Sequence, residues 1–499
     1  MINEEIKIYW HNYNYFPYEK ELGLREVNKI LKPNTIKDLG NFLLLKGDFN
    51  EDNLKRLVYF SKIETSNSTI TTLQANFEQT ILKNTQKKQS TRYSVHGMHE
   101  YKGKFNPQIV RALMNLFEVN SKTFILDPFC GSGTTLVEAA HIGAKCYGFD
   151  MNPMAILISN AKLKSLNIKS EDLIEIAKNV FYKFEKNILS YKIINLNERI
   201  EYLQKWFTPE ILLQIECIKE IIDLNATENK EIFYVLISNI LRNYSLQDPS
   251  DLRIRRRKTP LPDKPFIEAL KTAFNASINK LSFFQKNNLL TQNENKAILF
   301  DVRDDSLPNL ITSNKIKFDL ALTSPPYATA LPYIDTQRLS IVWLNLCSPQ
   351  DINKLDANII GSREFNNSEK IKWLENMNNN LNKLPKDIHK YCLNLENSLD
   401  INDGFRRQVV PRLLYRYFSE MQSCFTNMAK VIKKNGYFAL IIGKNQTTLG
   451  GNCFYIDTPY LLSKIAETKK WEIIESIDLE TYQRYDLHKN NSIKVETLL

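Results

Sequence analysis

Hydrophobic and polar positions divide this chain into stretches with two different periodicities. Short apolar runs end in an acid at Thr123–Asp127 (TFILD) and at Ala144–Asp150 (AKCYGFD), with helical spacing between them. Similar runs follow at Lys296–Asp301, Lys317–Ser324 and Tyr437–Gly443. Apolar runs of about four to eight residues bounded by turn residues are typical of buried strands. Their alternation with helices predicts an α/β fold with a parallel sheet and ligand sites at the carboxyl ends of its strands.

Two long stretches interrupt this alternation. From Ala161 to Asn293 the pattern is helical, apart from one basic loop, DPSDLRIRRRKTPLP. A polar insertion then covers Ser348–Phe405, and strand-like runs return near the end of the sequence. We therefore expect one sheet built from Thr123–Asp150 and Lys296–Leu499, with both insertions looped out of it.

These patterns also predict the domain organisation, since a chain of 499 residues is expected to form about two to four domains. We expect an N-terminal accessory domain, with the polar segment Lys83–Ser94 as a linker, followed by a catalytic domain that two insertions interrupt. The predicted segments are 1–90 (accessory domain), 91–165 (cofactor half), 166–293 (helical insertion), 294–347 (catalytic half), 348–405 (second insertion) and 406–499 (C-terminal strands).

Composition limits the class of protein. No apolar run approaches the roughly 18 residues that a membrane span needs, and the N-terminus, MINEEIKIYWHNYN, is too polar for a signal peptide. The seven cysteines form no CxxC pair and the six histidines do not cluster, so we expect neither a metal site nor a disulfide framework, and a cytoplasmic location. The net charge of +10 points weakly towards nucleic acid, although a merely basic soluble protein is equally compatible with it.

A glycine-rich turn follows the first predicted strand in the segment DPFCGSGTTLVEAA, Asp127–Ala140. Gly131 and Gly133 let the backbone approach a ligand, and the next helix offers unpaired amides at its N-terminus. The turn is not a phosphate loop, because the GK[ST] ending is missing. Asp150 lies about 20 residues beyond the glycines, where a carboxylate can accept hydrogen bonds from two ribose hydroxyls. That spacing also suits NAD, and a helix N-cap would explain Asp150 without any ligand.

The segment TSPPY, Thr323–Tyr327, ends another predicted strand. Two consecutive prolines fix their own φ and cannot donate to a β-ladder, so a buried strand must stop there. An ordinary turn with a satisfied serine is the structural alternative for this segment taken alone.

The two motifs together, D-P-F-x-G-S-G-T-T and T-S-P-P-Y, resemble the S-adenosylmethionine-dependent amino-methyltransferases of DNA. The resemblance is to the group that modifies the exocyclic N4 of cytosine, usually within restriction–modification systems. It extends to HGMHEYKGKFNPQIVRALM (His96–Met114) and to NGYFALIIGKN (Asn435–Asn445). It implies a Rossmann-like class I methyltransferase sheet, here with a helical insertion and a small N-terminal domain.

The resemblance also implies roles for individual residues. The glycine motif would hold the methionine end of the cofactor, Asp150 its ribose, and the segment after the third strand its adenine. The cofactor residues implied in this way are Lys104, Phe105, Asn106, Pro107, Asp127, Pro128, Phe129, Gly131, Ser132, Gly133, Thr134, Asp150, Asp301 and Val302.

The chemistry of amino-group methylation explains why TSPPY would be rigid. An exocyclic amino group is a poor nucleophile until hydrogen-bond acceptors localise its lone pair and aim it. Ser324 Oγ and the Pro325 carbonyl are candidate acceptors, Pro326 stiffens the corner, and Tyr327 offers a stacking face for a base flipped out of the duplex. No metal and no covalent intermediate are required, so Cys130 is interpreted as a packing residue.

Three alternatives remain at this stage. Serine before PPY favours cytosine N4, whereas adenine-N6 enzymes more often carry Asp or Asn there. Some RNA guanine-N2 methyltransferases carry a similar DPF-glycine loop before a PPY motif. A non-catalytic binding subunit could keep the same fold.

The order of the motifs indicates where DNA would be read. TSPPY follows the glycine motif, so we expect no separate C-terminal recognition domain. We expect the helical insertion to bind double-stranded DNA through its basic loop, with Asn358–Phe405 as a second candidate and a solvated loop as the alternative. The candidate DNA-binding residues are Arg253, Arg255, Arg256, Arg257 and Lys258. Any cognate restriction endonuclease is expected to be a separate protein, because no nuclease-like carboxylate cluster is present.

Overall fold

A computed structural model describes residues 2–78, 89–194, 196–287, 293–306, 309–313, 315–328, 333–480 and 495–499. The N-terminal part is an antiparallel sheet in the order β2-β3-β1-β4-β5. Its elements are β1 (Ile2–Trp10), α1 (Pro17–Glu26), β2 (Thr35–Asp38), β3 (Phe42–Phe49), α2 (Glu51–Arg56), β4 (Phe60–Glu64), β5 (Thr69–Thr71) and α3 (Leu73–Glu78).

A second, seven-stranded sheet begins after this unit. Its first half contains α4 (Pro107–Leu116), β6 (Phe124–Asp127), α5 (Thr134–His141), β7 (Lys145–Asp150) and α6 (Pro153–Asn167). Five further helices follow: α7 (Ser170–Asn187), α8 (Glu198–Gln204), α9 (Pro209–Asn225), α10 (Lys230–Leu241) and α11 (Phe266–Asn287).

The second half of this sheet contains the remaining strands. Its elements up to the second insertion are β8 (Lys296–Leu299), α12 (Asn309–Ser313), β9 (Phe318–Thr323), α13 (Tyr333–Trp343), α14 (Ile352–Asn358), α15 (Asn367–Asn378) and α16 (Lys386–Asn397). The chain continues with α17 (Val410–Val431), β10 (Ile432–Gly443), β11 (Asn445–Leu449), β12 (Asn452–Ile456), α18 (Thr458–Thr468), β13 (Ile477–Glu480) and β14 (Val495–Leu498).

The strand order of this sheet is β13-β14-β10-β9-β6-β7-β8. Strands β8, β7, β6, β9 and β10 pair in parallel, and β14 pairs antiparallel with both β10 and β13. The chain runs outwards from β6 in one direction and from β9 in the other, so β6 and β9 flank the topological switch point. In open α/β sheets the crevice at this point is the usual ligand site. The predicted α/β fold is confirmed, with a central sheet whose first five strands are parallel and whose β14 is antiparallel to both of its neighbours.

The pattern of apolar runs gives this sheet two buried faces. Along β6, Ile125 faces one hydrophobic cluster and Leu126 faces the other. In the same way Leu320 and Ala321 of β9 belong to opposite clusters. Successive strand residues point to opposite faces, so a strand covered on both sides reads as a continuous apolar run.

The helices α7 to α11 contribute no strand to the sheet, as expected of an insertion, and they pack on the helices that cover one of its faces. Val180, Ile218 and Val235 are fully buried in the cluster that also contains Ile125. The second insertion is packed in the same way on the opposite face, where Cys392 of α16 and Tyr417 of α17 share one cluster. Apolar stripes at helical spacing must be buried against a neighbouring element, and the sheet helices provide that surface.

The predicted linker Lys83–Ser94 lies partly outside the described residues, because 83–88 are not described. Its remaining part is not a linker in the structure. Tyr93 is fully buried and Ser94 is buried, and the Gln89 side chain donates a hydrogen bond to Glu19 Oε1 at 2.6 Å. This stretch therefore belongs to the core between the two sheets.

Within the described residues, no helix combines the length and the apolar character needed to cross a membrane.

Candidate active site

The glycine motif and TSPPY lie at neighbouring strand ends. Asp127 ends β6 and Thr323 ends β9, and these strands are parallel partners at the switch point. The Thr323 hydroxyl donates a hydrogen bond to Asp127 Oδ1 at 2.5 Å, and both side chains are buried. Burial raises the pKa of Asp127 to about 6, against the opposing effect of hydrogen bonds from Thr135 and Thr323. This bond couples the two motifs directly.

The turn after β6 requires its second glycine. Gly133 has φ +77 and precedes α5, so its backbone is in the left-handed region. A Cβ at this position would lie 2.8 Å from Ser159 Oγ, so the close approach of α6 also excludes a side chain. Cys130 is buried in the same turn, and burial raises the pKa of its thiol well above the usual range, which agrees with a packing role.

Helix α6 fixes the carbonyl groups of the turn. The Ser159 hydroxyl donates to the Gly131 carbonyl at 2.8 Å, and Lys162 Nζ donates to the Ser132 carbonyl at 2.9 Å. Lys162 is fully buried, and this burial lowers the pKa of its ammonium to about 7. Sequence reasoning missed both residues, although their spacing of three on the helix after GFDMNP places them on one face.

Asp150 ends β7 and turns its carboxylate towards the glycine turn. The Gly131 amide donates to Oδ2 at 2.9 Å and the Asn152 amide donates to Oδ1 at 2.8 Å. A carboxylate offers about four lone-pair sites, so acceptor capacity remains for two hydroxyls. Burial raises the pKa of Asp150 to about 6. The N-cap of α6 is Asn152, whose side chain accepts from Met154, so Asp150 is not the helix cap.

In the segment Lys104–Pro107, the polar side chains of Lys104 and Asn106 bond to backbone groups of the protein. Lys104 Nζ donates to the Thr91 carbonyl at 2.6 Å, and Asn106 caps α4, with Pro107 in the first helical position. The contact with the glycine turn is made by Tyr101, whose ring lies 3.3 Å from the position of a Cβ on Gly131. Tyr101 was not among the predicted site residues, although it lies within the His96–Met114 segment.

Asp301 and Val302 follow β8 beside Asp150. The amide of Phe300 donates to the Asp150 carbonyl at 3.1 Å, which places this loop next to the end of β7. The Asp301 carboxylate is paired with Arg303 at 2.8 Å, and the Val302 carbonyl accepts from Asn427 at 2.9 Å. The loop is therefore held rigid on both sides, with the Asp301 carboxylate already paired.

The TSPPY corner is held on several sides. Tyr327 donates its hydroxyl hydrogen to Glu496 of β14 at 2.6 Å, and Asn445 donates to the Ala328 carbonyl at 3.1 Å. Ser324 is half-buried and Pro325 is buried. Among the described residues, none donates a hydrogen bond to the Pro325 carbonyl.

The second insertion passes directly over this corner. Gly361 has φ +78, and a Cβ there would lie 2.6 Å from the Tyr327 carbonyl oxygen. Only glycine combines this left-handed backbone with so close an approach. The sequence pattern assigned this segment to an insertion and did not indicate contact with TSPPY.

Three arginines of the basic loop have partners within the protein. Arg255 pairs with Asp251 at 3.0 Å, Arg257 donates to the carbonyls of Asn243 and Ser245, and the Arg256 guanidinium lies 5.1 Å from the Trp206 ring centre. In the described part of the chain, Arg253 and Lys258 form no ion pair. The five predicted DNA-binding residues are thus adjacent, but several have protein partners.

Two histidines come together in the fold, contrary to the sequence expectation. His96 Nε2 lies 2.7 Å and His141 Nδ1 lies 3.4 Å from Glu138 Oε1, and all three side chains are fully buried. The guanidinium of Arg111 lies 3.5 Å from the other oxygen of Glu138, so a positive charge already faces this carboxylate. The geometry fits an enclosed polar network that connects α4, α5 and the segment before them.

Residues 96–197 match the family model described as "UPF0020: RMKL-like, methyltransferase domain". The matched region contains the glycine turn, Asp150 and the start of the helical insertion. Together with the strand order, this match defines a Rossmann-like α/β methyltransferase domain.

Individual relatives share longer or shorter parts of the chain. The type II methyltransferase M.MvaI of Kocuria varians is 28% identical over 300 residues, covering 56% of this chain and 64% of that protein. The type II methyltransferase M.BsoBI of Geobacillus stearothermophilus is 22% identical over 410 residues, covering 75% and 78%. A tRNA (guanine(10)-N2)-dimethyltransferase of Methanocaldococcus jannaschii is 48% identical over 46 residues, covering 9% and 13%. The chain thus spans less than two thirds of M.MvaI.

Proposed function

We propose that this protein is a site-specific DNA methyltransferase that transfers a methyl group from S-adenosylmethionine to the exocyclic N4 of cytosine. The observation that carries the proposal is the hydrogen bond from Thr323 to Asp127, which joins the glycine turn to the TSPPY corner. A cofactor turn and a rigid pair of acceptors lie side by side at the switch point of the sheet. Similarity to type II methyltransferases supports DNA as the substrate.

The residues at the glycine turn suit the proposed methyl donor. Asp150 has lone pairs left for ribose hydroxyls, and the positive φ of Gly131 and Gly133 forms the tight turn that leads into the N-terminus of α5. When bound, S-adenosylmethionine would supply an electrophilic methyl group on a sulfonium. The turn residues would hold its methionine end, and the loop at Val302 would flank its adenine.

The TSPPY corner would activate the amino group. Ser324 Oγ and the Pro325 carbonyl would each accept one N–H of the exocyclic amine, which localises the nitrogen lone pair. Such acceptors are effective when they are fixed before the reaction, so that no reorganisation is needed. The contacts of Tyr327 with Glu496 and of Gly361 with the Tyr327 carbonyl keep the corner in place. The Tyr327 ring would stack on the flipped base.

Cytosine N4 is preferred over adenine N6 because serine precedes PPY. We further propose that the enzyme belongs to a restriction–modification system whose endonuclease is a separate protein. Absence of S-adenosylmethionine binding in calorimetry would instead identify a non-catalytic binding subunit that keeps the fold.

Product analysis tests this proposal. The purified chain is incubated with tritiated S-adenosylmethionine and plasmid DNA from a methylation-deficient host, and the DNA is digested to nucleosides for mass spectrometry. N4-methylcytosine is expected, and its absence from Ser324→Ala reactions would tie it to the corner. Finding only N6-methyladenine would overturn the base assignment while keeping the DNA substrate.

The second candidate is an RNA guanine-N2 methyltransferase. The short, highly identical match to a tRNA dimethyltransferase favours it. The same labelled cofactor is therefore offered with unmodified tRNA in parallel. Label in tRNA but not in duplex DNA would replace the proposed function by this one.

A further inference from the structure

Arg303 connects the loop after β8 with the segment that covers the TSPPY corner. Its Nε donates to Asp301 Oδ1 at 2.9 Å, and its Nη2 donates to the Asn358 carbonyl at 2.7 Å. Asp301 lies in the loop that would flank the adenine of the cofactor, and Asn358 ends α14. The remaining nitrogen, Nη1, donates to Glu420 of α17 at 2.5 Å. One side chain thus joins three segments that are distant in sequence.

Helix α17 fixes the backbone on both sides of Arg303. The buried Asn427 side chain donates to the carbonyls of Val302 and Asp304, both at 2.9 Å. The Arg303 side chain is 21% exposed and that of Glu420 is 11% exposed, so solvent screens their ion pair less than a surface pair. A planar guanidinium also bonds its acceptors in fixed directions. Both ends of Arg303 are therefore held in place by the protein itself.

Residues 358–361, which we call the covering segment, lead from this arginine to the TSPPY corner. Arg303 holds the first residue, Asn358, through its carbonyl. Three positions later, a Cβ on Gly361 would lie 2.6 Å from the Tyr327 carbonyl oxygen. The two isoleucines between them are buried, and close-packed side chains transmit a displacement rather than absorb it. The position of Asn358 therefore affects the contact at the corner.

Charge balance alone does not explain all the bonds of Arg303. The carboxylates of Asp301 and Glu420 already compensate its positive charge. The bond to the neutral Asn358 carbonyl adds no counter-charge, and its effect is to fix the covering segment relative to the loop at Asp301. Alignment of reacting groups is sensitive to displacements of about 1 Å, so such a bond can affect the rate without touching a substrate.

We propose that Arg303 is a positioning residue that couples the cofactor loop at Asp301 to the covering segment, and through it to the TSPPY corner. A cofactor that orders this loop would favour the corner geometry that accepts the target base. By linkage, DNA would favour cofactor binding by the same factor. This inference rests on the proposed function, because it specifies how the two substrates of the same site affect each other.

Binding of the reaction product tests this coupling. S-adenosylhomocysteine, which has no methyl group to transfer, is titrated by calorimetry into the full chain, with and without an excess of the plasmid DNA used for product analysis. We expect the wild type to bind it at least about fivefold more tightly with DNA present. In Arg303→Ala the difference is expected to fall below about twofold, because the cofactor loop no longer holds Asn358.

A double-mutant cycle tests whether Arg303 acts through the covering segment. The kcat for plasmid methylation is measured for Arg303→Ala, Gly361→Ala and the double variant. Each single change is expected to lower kcat by about tenfold or more. The double variant should be no slower than the slower single variant, because both changes remove the same constraint. Losses that multiply would show that Arg303 acts independently of Gly361 and would contradict this route.

Two further variants separate positioning from stability. Arg303→Lys keeps a positive charge beside both carboxylates, but a single ammonium on a flexible stem does not reproduce the guanidinium bonds. Its Tm should stay close to that of the wild type while the coupling is lost, and retained coupling would contradict the role of the Asn358 bond. Arg412→Ala is the matched control, since the Arg412 side chain is 20% exposed and pairs with Glu396 at 2.5 Å. Coupling and kcat should remain at wild-type values in this control.

The outcomes distinguish this inference from the proposed function. Wild-type coupling in Arg303→Ala, or no effect of DNA on the wild type that methylates it, would overturn the inference alone. A wild-type chain that does not bind S-adenosylhomocysteine would overturn both. Label in tRNA but not in DNA would overturn the proposed function, and the titration with tRNA then decides the inference. Coupling lost in Arg303→Ala would support it there, and coupling retained would contradict it.

Discussion

Ser324 and Asp127 illustrate how single side chains create this site. The carboxylate that ends β6 accepts a hydrogen bond from Thr323, which fixes the residue directly before Ser324. Asp150 differs, because its two amide bonds leave part of its lone-pair capacity unused. Asp127 therefore stabilises the corner, whereas the Asp150 carboxylate remains available to a ligand.

Substitution of Ser324 tests the corner. Ser324→Ala removes one of the two proposed acceptors, so kcat is expected to fall by about 10²–10³. Affinity for S-adenosylmethionine, measured by calorimetry, should stay within about twofold of wild type. Ser368→Ala, at an exposed position in α15, serves as the control. Wild-type methylation rates in Ser324→Ala would contradict the role of this hydroxyl.

Ionisation of Asp150 predicts a pH dependence of cofactor affinity. Its pKa is raised to about 6 by burial, so below about pH 6 the carboxylate becomes protonated and loses acceptor sites. Calorimetry should show affinity falling by up to about tenfold per pH unit below that value. Asp150→Asn should bind weakly at all pH values, without this dependence.

Protonation of Asp150 should not by itself destabilise the fold. An acid with a pKa raised in the folded state destabilises the fold at high pH; that penalty shrinks as the pH falls below about 6 and is gone below the ordinary value of 3.8. The contribution of Asp150 to the free energy of unfolding therefore rises on acidification. Flat cofactor affinity between pH 7 and pH 5 would show that Asp150 does not hold the ligand.

At the scale of elements, the candidate site depends on segments that are distant in sequence. Helix α6 holds the glycine turn through hydrogen bonds from Ser159 and Lys162, and Gly361 of the second insertion packs against the Tyr327 carbonyl. Strand β14 contributes Glu496, and β11 contributes Asn445. Each of these contacts restricts the motion of a backbone group close to the proposed reaction.

Substitution of Gly361 tests the contact between insertion and corner. Gly361→Ala places a Cβ against the Tyr327 carbonyl in a left-handed conformation, so we expect kcat to fall by about tenfold or more, since small displacements of aligned groups are costly. Gly404→Ala, where a Cβ would meet nothing within 4 Å, is the matched control. Equal rates of DNA methylation in the two variants would contradict a positioning role for this loop.

At the scale of the whole molecule, one buried cluster joins the N-terminal sheet, the helical insertion and one face of the catalytic sheet. Buried polar bonds reinforce this connection. Glu26 accepts from Asn115 of α4 at 2.6 Å, and Arg56 donates to the Val119 carbonyl at 2.8 Å. The N-terminal unit is therefore part of the same core as the methyltransferase sheet.

This shared core predicts cooperative unfolding. We expect one calorimetric transition that includes the N-terminal sheet, because separating it would expose the buried cluster to water. Hydrogen exchange of peptides from β1 to β5 and far-UV circular dichroism should report the same midpoint. A separate, earlier transition of the N-terminal unit would contradict a single core.

Much of this fold could be predicted from periodicity. The five parallel strands are short apolar runs, and each predicted run overlaps an observed strand. The packing of α7 to α11 was not predictable in the same way, because an apolar helical stripe does not specify what will cover it. Tyr93 was assigned to a linker, and His96 and His141 were not expected to meet, because sequence spacing does not show which distant segments pack together.

The sequence by itself determined the glycine turn, the proline-stiffened corner and the order along the chain of the strands that carry them. These features depend on local backbone chemistry and residue spacing. Only the tertiary structure decided that Thr323 bonds Asp127 and that Gly361 packs on the Tyr327 carbonyl. Such contacts join residues far apart in the chain. They are selected by how the helices fill both faces of the sheet, and no local pattern encodes that choice.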